Sequence, residues 1–255
     1  MTDTTSAPTL SRRQILGFDH AALTYPNGTT ALTDVSMTVH ANEFVSVVGP
    51  SGCGKSTLLR LASGLEHITD GYMHTGTDRI AYVFQDATLL PWRTVRGNVE
   101  LLSELDHRPK NERRERALKS LDTVGLTGFA DHLPHQLSGG MKMRVSLARS
   151  LSIDPELFLF DEPFAALDEI TRERLGTEMT ELFAQGSFAG LFITHSVSEA
   201  VFLSTKVLVM SGRPGRIVES IDIPFEFPRR SELRYTPEFT KIAAHVSNAL
   251  REAHS

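Results

Sequence analysis

Several features are scarce or absent in this 255-residue sequence, and each absence narrows the possible functions. The one cysteine, Cys53, excludes an intrachain disulfide and a cysteine-rich metal site. No apolar run approaches the roughly 18 residues that a membrane-spanning helix needs, and residues 1–14 lack the apolar stretch of a secretory signal. Lysine and arginine (26) are outnumbered by aspartate and glutamate (31), which disfavours a broad nucleic-acid-binding surface. We therefore expect a protein of the reducing cytoplasm.

Short β-type segments alternate with segments of helical periodicity along most of the chain. Strand patterns are found at residues 18–23, 35–39, 44–48, 80–84, 157–160, 191–194 and 207–210. Helical patterns are found at 55–65, through much of 94–152, at 168–185, at 196–204 and from Thr236 onwards. The alternation predicts an α/β fold with a largely parallel sheet covered on both faces. The helical block at 94–152 is expected to be a subdomain inserted between strands.

A glycine-rich loop joins one predicted strand to the helix that follows. Its residues, Gly49 to Ser56, match the pattern G-x-x-x-x-G-K-[ST]. Glycines let successive backbone N–H groups point into one concavity, and the helix directs its positive end to the same place. We predict that Lys55 contacts nucleotide phosphates and that Ser56 binds Mg²⁺, with Cys53 as a small filler. The alternative, a glycine-rich turn with a solvated lysine, is disfavoured by the strand and helix on either side.

Two adjacent acidic residues, Asp161 and Glu162, follow the apolar strand pattern at 157–160. Carboxylates at the end of a buried strand are costly unless they bind a cation or activate water. Asp161 is predicted to hold Mg²⁺ through its coordination shell, and Glu162 to polarise the water that attacks a γ-phosphate. An acidic cap of the next helix is the alternative.

A second potential anion site lies at Ser138, Gly139 and Gly140, at the start of a helix predicted from Met141 to about Leu151. A serine and two glycines at a helix N-terminus present free N–H groups to an anion. Because the sequence has a single nucleotide loop, this site would be explained if each chain offered it to a nucleotide held by a partner chain. An ordinary N-cap role for Ser138 is the alternative.

Taken together, these motifs resemble those of the ATPase subunit of ATP-binding cassette (ABC) transporters. The resemblance rests on LSGG at 137–140, on the phosphate loop and on FLFDEP at 158–163, and it covers roughly residues 15–220. It implies a P-loop NTPase core with a mostly parallel sheet, an N-terminal antiparallel β part and a helical subdomain inserted at about 86–152. Residues 1–14 would be a polar tail, and residues 221–255 a short C-terminal extension with a helix.

The resemblance also implies a head-to-tail dimer that holds ATP between the phosphate loop of one chain and the LSGG motif of the other. Gln85 matches a glutamine that touches Mg²⁺ and links the core to the helical subdomain, and His195 matches a histidine that contacts the γ-phosphate. Asp168 matches an aspartate that faces the dimer partner, with a helix N-cap as an alternative or additional role. Tyr25 matches an aromatic residue that stacks on adenine, or is a buried strand tyrosine.

Each implied set of site residues draws on several motifs. The nucleotide-binding set is Tyr25, Gly49, Pro50, Ser51, Gly52, Cys53, Gly54, Lys55, Ser56, Thr57, Ser138, Gly139, Gly140 and Asp168. The catalytic set is Lys55, Gln85, Glu162 and His195, and the metal set is Ser56, Gln85 and Asp161.

A narrower resemblance follows from Met141, which stands where glutamine often follows LSGG. With methionine at this position, the sequence resembles the ATPase subunits of importers of nitrate, sulfonates, taurine and related small anions. The stretches 86–92, 161–172 and 214–217 show the same resemblance. Met143, in place of a further glutamine, departs from that pattern but leaves the serine–glycine anion site intact.

We therefore expect an ATPase that powers import of a small anion through a separate permease at the cytoplasmic face of the membrane. A second ATPase subunit, most simply a copy of this chain, and indirectly a solute-binding protein would be its partners, without nucleic acid. The apolar segment from Leu89 to Trp92 is expected to line the groove for a permease helix, or else to pack in the core. The alternatives are a soluble ABC ATPase acting on nucleic acid or ribosomes, and a module that binds ATP without turnover.

Overall fold

The computed structural model describes residues 13–186 and 188–253, which form two β-sheets and eight α-helices. Of the polar tail predicted for residues 1–14, positions 1–12 lie outside the described residues. In chain order the elements are β1 (Gln14–Thr24), β2 (Thr30–His40), β3 (Phe44–Val48), α1 (Lys55–Ala62), β4 (Asp70–Thr75), β5 (Ile80–Val83), α2 (Val95–Val99), α3 (Leu101–Leu105), α4 (Lys110–Thr123), α5 (Gly139–Leu151), β6 (Leu157–Asp161), α6 (Glu169–Gln185), β7 (Ala189–Thr194), α7 (Val197–Leu203), β8 (Lys206–Met210), β9 (Ile217–Asp222) and α8 (Pro237–Glu252).

The larger sheet has six strands in the order β5–β6–β7–β3–β8–β9. All pairs from β5 to β8 are parallel, and β9 runs antiparallel to β8. The central strands β3 and β7 are buried along their whole length, as expected for a sheet covered on both faces. The predicted α/β fold with a mostly parallel sheet is confirmed. Because parallel strands share one direction, the loops that follow β3, β6, β7 and β8 meet at one edge.

The smaller sheet is antiparallel and has the order β2–β1–β4. In β2 the apolar residues Val35, Met37 and Val39 are buried, and the polar residues between them are exposed. This alternation is typical of an antiparallel sheet that packs one face on a core. The buried face shares an apolar cluster with α1 and β3, so the sheet supports the helix that follows the glycine-rich loop.

The helices between β5 and β6 bury an apolar cluster of their own, whose members are Val95, Val99, Ala117, Leu121, Val124, Leu126, Ala130, Leu137, Val145 and Ala148. Met143 of α5 belongs instead to the cluster beneath the larger sheet, so α5 contacts both parts. A subdomain needs an apolar core of its own, and the cluster of these helices is such a core for the helical subdomain expected at about 86–152. The domain boundaries themselves stay a prediction.

The C-terminal helix α8 is part of the main core. Its Phe239, Val246 and Ala249 are buried in the cluster that contains the phenylalanines of the larger sheet. The Thr236 hydroxyl accepts a hydrogen bond from the Phe239 N–H, and Pro237 is the first helical residue. The apolar residues of this helix are therefore part of the core.

Two strands were not expected, and several boundaries differ: β1 begins at Gln14 and β2 at Thr30, before their expected starts, and α1 ends at Ala62. Neither β4 nor β9 was predicted, and both are edge strands. Most of β4 is exposed, and the half-buried positions of β9 include the charged Glu219, so neither has a clear apolar alternation in its sequence. Helix α5 begins at Gly139 rather than Met141, since Ser138 already serves as its N-cap. Within the described part of the chain, no helix has both the length and the apolar composition to cross a membrane.

Candidate functional site

The glycine-rich loop turns between the carboxyl end of β3 and the start of α1. At Gly54 the angle φ is 109°, and a Cβ atom there would lie 2.7 Å from Leu32 Cδ2 and 2.9 Å from the Ala31 carbonyl oxygen. Glycine suits this position because L side chains rarely adopt such a φ and because β2 leaves no room for one. The loop has the strand–turn–helix context that the predicted phosphate site requires.

A cavity opens above this loop at the carboxyl edge of the larger sheet. Its lining combines the loop, the first turn of α1 and residues beyond β6, β7 and β8, namely Ser51, Gly52, Gly54, Lys55, Ser56, Thr57, Glu162, His195 and Arg213. Ligands of open α/β sheets bind at this edge, because neighbouring parallel strands end there together. Residues predicted from three separate motifs thus face one space.

Lys55 lies at the floor of the cavity. Its side chain is buried, and its ammonium group donates hydrogen bonds to the carbonyl oxygens of Gly49 and Pro50, both at 2.9 Å. These two acceptors compensate for removing the charge from water. The loop therefore holds one positive charge where phosphate oxygens would arrive.

Cys53 is 1% exposed, and burial raises the pKa of its thiol. A thiol buried in this way stays protonated at neutral pH and is a poor nucleophile. The structure agrees with the expectation that Cys53 fills space in the loop.

Ser56 and Asp161 bring two oxygens together beside the cavity. The Ser56 hydroxyl donates to Asp161 Oδ1 at 3.0 Å, and the Tyr82 hydroxyl donates to Asp161 Oδ2 at the same distance. Burial, and then the Asp161 charge, raise the pKa of Tyr82, so this phenol remains a donor. A hydroxyl and a fixed carboxylate are oxygen ligands of the kind that Mg²⁺ prefers.

Gln85 follows β5, the neighbour of β6, but its side chain is exposed and lies outside the cavity lining. Among the residues that the structure describes, it forms no hydrogen bond with Ser56 or Asp161. The predicted placement of Gln85 beside the metal ligands is thus not seen in this conformation, although the strand order puts its backbone at the same edge of the sheet.

Glu162 and His195 form the opposite wall. They follow the adjacent strands β6 and β7, and His195 Nδ1 lies 3.2 Å from Glu162 Oε2. Glu162 has φ 46°, a value that non-glycine residues adopt infrequently, and its N–H donates to the Ile193 carbonyl at 3.0 Å. Strained backbone of this kind persists where the surrounding structure over-determines it, and it clusters at functional sites. The Glu162 side chain lines the cavity.

Ser138 and Asp168 cap neighbouring helices outside the cavity. The Ser138 hydroxyl accepts from the Met141 N–H at 3.3 Å, and Asp168 Oδ1 accepts from the Thr171 N–H at 2.9 Å. The Thr171 N–H also lowers the pKa of the Asp168 carboxyl. A Cβ atom at Gly140 would lie 2.6 Å from Thr171 Cγ2, so the two helix starts are in close contact. Both capping residues are exposed on one surface. Each is a helix N-cap, which was one of the roles considered for it.

Tyr25 directly follows β1 and lies next to the first turn of α1. Its hydroxyl lies 3.4 Å from Thr57 Oγ1, and its half-buried ring packs against the apolar cluster that contains α1. The contact with Thr57 places Tyr25 next to a residue of the cavity lining. Both of the roles considered for Tyr25 remain compatible with this position.

Arg213 lines the cavity although sequence reasoning did not include it among the site residues. It lies in the loop between β8 and β9, and β8 pairs with β3, the strand before the glycine-rich loop. Ligands bind at the carboxyl ends of the strands in a sheet of this kind, so any polar residue in the loop that follows a strand next to β3 is a candidate for the site. Arg213 meets this criterion. No strand was predicted after residues 207–210, so the sequence did not mark residues 211–216 as a loop between two strands.

The segment that follows Gln85 forms a partly exposed apolar surface. Trp92 is 74% exposed, whereas Leu89 packs against the cluster of the helices α2 to α5. The buried Asn98 fixes this segment, because its side-chain amide donates to the Leu90 and Arg93 carbonyls at 3.1 Å and its oxygen accepts from the Leu90 N–H at 2.7 Å. Core packing therefore accounts for Leu89 but not for Trp92.

Comparison with known proteins gives the class to which this fold and site belong. The family model described as "ABC transporter" matches residues 32–165. The chain is 47% identical over 234 residues to the "Uncharacterized ABC transporter ATP-binding protein MJ0412" of Methanocaldococcus jannaschii, covering 89% of this chain and 86% of that protein. It is 42% identical to the "Nitrate import ATP-binding protein NrtD" of Synechocystis, covering 87% and 88%.

A solved structure is similar over most of the chain. It is titled "Dimeric structure of a post-hydrolysis state of the ATP-binding cassette MJ0796 bound to ADP and Pi", with a TM-score of 0.71, 31% identity, and coverage of 83% of this chain and 100% of that one. The chain therefore belongs to the ABC transporter family. Within it, the chain is a nucleotide-binding ATPase, as the resemblance of its motifs implied.

Proposed function

We propose that this chain is the ATP-hydrolysing subunit of an importer that moves a small organic or inorganic anion through a separate membrane permease. The observation that carries the hydrolytic role is the arrangement of Lys55, Ser56, Glu162 and His195 around one cavity. The similarity to NrtD, named for nitrate import, supports import of an anion in the nitrate, sulfonate and taurine class. An importer ATPase for another small solute is the alternative.

ATP binding is proposed to use the loop residues Gly49 to Thr57 for the phosphates and Tyr25 for the adenine. Lys55 would exchange the carbonyl oxygens of Gly49 and Pro50 for phosphate oxygens. Backbone N–H groups at the start of α1 add partial positive charge at the same point. The proposed phosphate contacts thus come from the Lys55 side chain and from the backbone of the loop, which line the cavity.

Mg²⁺ fits the oxygens that Ser56 and Asp161 place 3.0 Å apart. Ser56 would bind it directly and Asp161 through its coordination shell, while Tyr82 holds the second carboxylate oxygen. When bound, the ion neutralises charge that develops on the phosphate oxygens. Gln85 is proposed as a further ligand, reached when the segment beyond β5 moves towards the cavity.

Hydrolysis is proposed to use Glu162 as general base. Its carboxylate accepts a proton from a water molecule, whose oxygen bonds to the γ-phosphorus while the bond from that phosphorus to the β–γ bridging oxygen breaks. The products are ADP and inorganic phosphate. His195 donates a hydrogen bond to the γ-phosphate, and its contact with Glu162 orients both side chains.

A second copy of the chain is proposed to complete each site. Ser138 and Gly139 are exposed at the start of α5, outside the cavity, and Gly140 beside them is buried against Thr171. The N–H groups of the exposed helix start are proposed to bind a nucleotide held by another chain. Asp168 lies on the same surface and would face that partner. The similar cassette MJ0796 is described as dimeric, which supports a head-to-tail pair here.

Coupling to the permease is proposed to pass through Gln85 and the segment that follows it. Trp92 is exposed in a segment that the Asn98 side chain fixes by hydrogen bonds to Leu90 and Arg93, as a docking side chain for a permease helix would be. The chain would then sit at the cytoplasmic face of the membrane and act indirectly on a solute-binding protein. Residues 86–152 would move as a unit relative to the sheet when ATP binds.

The test is reconstitution of the tagged chain, with the multi-span protein that copurifies with it, into liposomes supplied with a solute-binding protein. We expect uptake of labelled nitrate, taurine or an alkanesulfonate that requires ATP on the side of the chain and is lost with Glu162→Gln. Copurification with RNA or ribosomes and no multi-span protein would support the soluble alternative instead. ATP binding without phosphate release by the complex would support a module without turnover.

A further inference from the structure

The loop at residues 211–216, between β8 and β9, is hydrogen-bonded to β2 and lies against the glycine-rich loop. The Gly215 N–H donates to the Ala31 carbonyl at 2.9 Å, and the Gly215 carbonyl accepts from the Thr33 N–H at 3.0 Å. A Cβ atom at Gly215 would lie 2.1 Å from the carbonyl oxygen of Cys53. Glycine at this position therefore permits direct backbone contact between the two loops.

The same loop is held from within and from behind. The Ser211 N–H donates to the Arg216 carbonyl at 2.9 Å, and the Ser211 hydroxyl accepts from the Arg216 N–H at 3.1 Å. The Gly212 N–H donates to the Ala253 carbonyl beyond the end of α8 at 3.4 Å. The backbone around Arg213 is thus fixed relative to the phosphate-binding loop.

Arg213 extends from this loop to the lining of the nucleotide cavity. Within residues 13–186 and 188–253, no carboxylate forms an ion pair with its guanidinium. The same lining includes Glu162 and His195, the residues proposed to face the γ-phosphate, so Arg213 shares one cavity with them. Arg216, in the same loop, is also exposed but lies outside the lining, so the two arginines differ in what they face.

We propose that Arg213 is an additional nucleotide-binding residue that contacts the terminal phosphate and favours ATP over ADP; this rests on the proposed ATP site. A guanidinium is a planar fork of donors that matches phosphate oxygens, and charge-assisted hydrogen bonds are about twice as strong as neutral ones. ADP lacks the terminal phosphate, so it gains less from a cation at this end. Lys55 holds the phosphates from the floor, and Arg213 holds the last of them from the side.

The experiment measures the Kd for ATP and for ADP with the full-length chain in the presence of Mg²⁺, for Arg213→Gln, Arg213→Lys and the matched control Arg216→Gln. We expect Arg213→Gln to weaken ATP binding about tenfold or more and ADP binding less than about threefold, the scale of one charge-assisted hydrogen bond. Arg213→Lys should recover part of the ATP affinity, and Arg216→Gln should leave both constants within about twofold of the wild-type values. Thermal unfolding curves establish that each variant is folded.

Equal ATP affinity for Arg213→Gln and Arg216→Gln, or an equal loss for ATP and ADP, would overturn the assignment of Arg213. Lys55→Ala separates this failure from failure of the proposed function. If Lys55→Ala abolishes nucleotide binding while Arg213→Gln has no effect, the ATP site stands and only Arg213 is excluded. If Lys55→Ala also binds ATP normally, the nucleotide site itself is misplaced and the assignment of Arg213 falls with it.

Discussion

Arg149 of α5 donates two hydrogen bonds to Thr88, one to its carbonyl oxygen at 3.0 Å and one to its hydroxyl at 3.1 Å. It also donates to the Ala87 carbonyl at 3.0 Å. The helix that begins next to Ser138 is therefore tied to the segment that carries Trp92. Any tilt of α5 on engagement of a second chain would be transmitted through this buried guanidinium to the proposed docking surface.

Arg149→Met should destabilise this connection, because it removes the hydrogen bonds that the buried guanidinium donates to the partly buried carbonyl groups of Ala87 and Thr88. Burial alone lowers the pKa of Arg149, and the oxygens of Ala87 and Thr88 are what stabilise the charged form there. We expect a loss of about 2 to 4 kcal/mol in the free energy of unfolding, and faster amide hydrogen exchange at residues 86–92. Urea denaturation and exchange mass spectrometry measure the two effects. The exposed Arg114→Met is the control, and a loss no greater than that of Arg114→Met would contradict the bridging role.

Glu162→Gln should retain ATP binding and lose about 10²-fold or more of turnover, the usual scale for removing a general base. Glutamine keeps the size of the side chain and its contact with His195 but does not take up the proton. Phosphate release by the permease-bound chain and the Kd for ATP give the two readouts, with the exposed Glu238→Gln as control. Undiminished phosphate release would remove Glu162 from the mechanism.

Trp92→Asp should detach or uncouple the permease while ATP binding is spared. The side chain is 74% exposed, so the substitution costs little folding energy, whereas a carboxylate in an apolar docking groove would be desolvated. Copurification of the multi-span protein and ATP-driven uptake in liposomes report assembly and coupling. Tyr72→Asp, at an exposed aromatic residue on the edge strand β4, is the matched control. Assembly and transport like those of the control would exclude Trp92 from the interface.

Glu43→Gln should lower stability in a pH-dependent way. Burial raises the pKa of the Glu43 carboxyl, but hydrogen bonds from Lys206 at 2.6 Å and from the His40 N–H at 2.8 Å outweigh it, so the pKa in the folded chain lies below its usual 4.5. A carboxyl whose folded pKa is depressed stabilises the fold above the unfolded pKa, and this contribution is lost as the pH falls through the folded pKa. Glu43 precedes β3 and Lys206 begins β8, so this ion pair lies at the amino edge of the larger sheet, opposite the cavity.

For Glu43→Gln we expect a loss of about 2 kcal/mol at pH 7.5 and a smaller loss at pH 4, measured by urea denaturation. Lys206→Met should cost less in the Glu43→Gln background than in the wild-type chain, since the ion pair is then already broken. A loss from Glu43→Gln that is the same at both pH values would show that the ionised carboxylate is not the stabilising form.

The sequence predicted most of the fold because its central strands are almost wholly apolar and its helices have regular spacing. It did not predict β4, whose residues Tyr72 and His74 face solvent at the edge of the smaller sheet, nor β9, whose half-buried positions include Glu219. Edge strands are stabilised by hydrogen bonds to one neighbour rather than by a buried face, so composition gives little sign of them.

The candidate site was predicted in its parts, because each motif has its own chemistry and lies at a strand end. Their assembly came from strand order, which places β6 and β7 side by side and puts Glu162 next to His195. The positions of Gln85, Arg213 and Arg149 depend on loop conformations and on contacts between residues distant in sequence. Hydrophobic periodicity contains no information about either.

In the proposed dimer, each ATP is held by Lys55 of one chain and Ser138 of another. The decisive measurement mixes Lys55→Ala chains with Ser138→Arg chains and records ATP-dependent association of the two by energy transfer between different labels. In a mixed dimer one site has both mutations and the other has neither. We predict that neither variant dimerises alone and that the mixture does. If Ser138→Arg chains bind ATP and associate normally by themselves, or if the mixture stays monomeric while the wild-type chain dimerises, the shared site is contradicted.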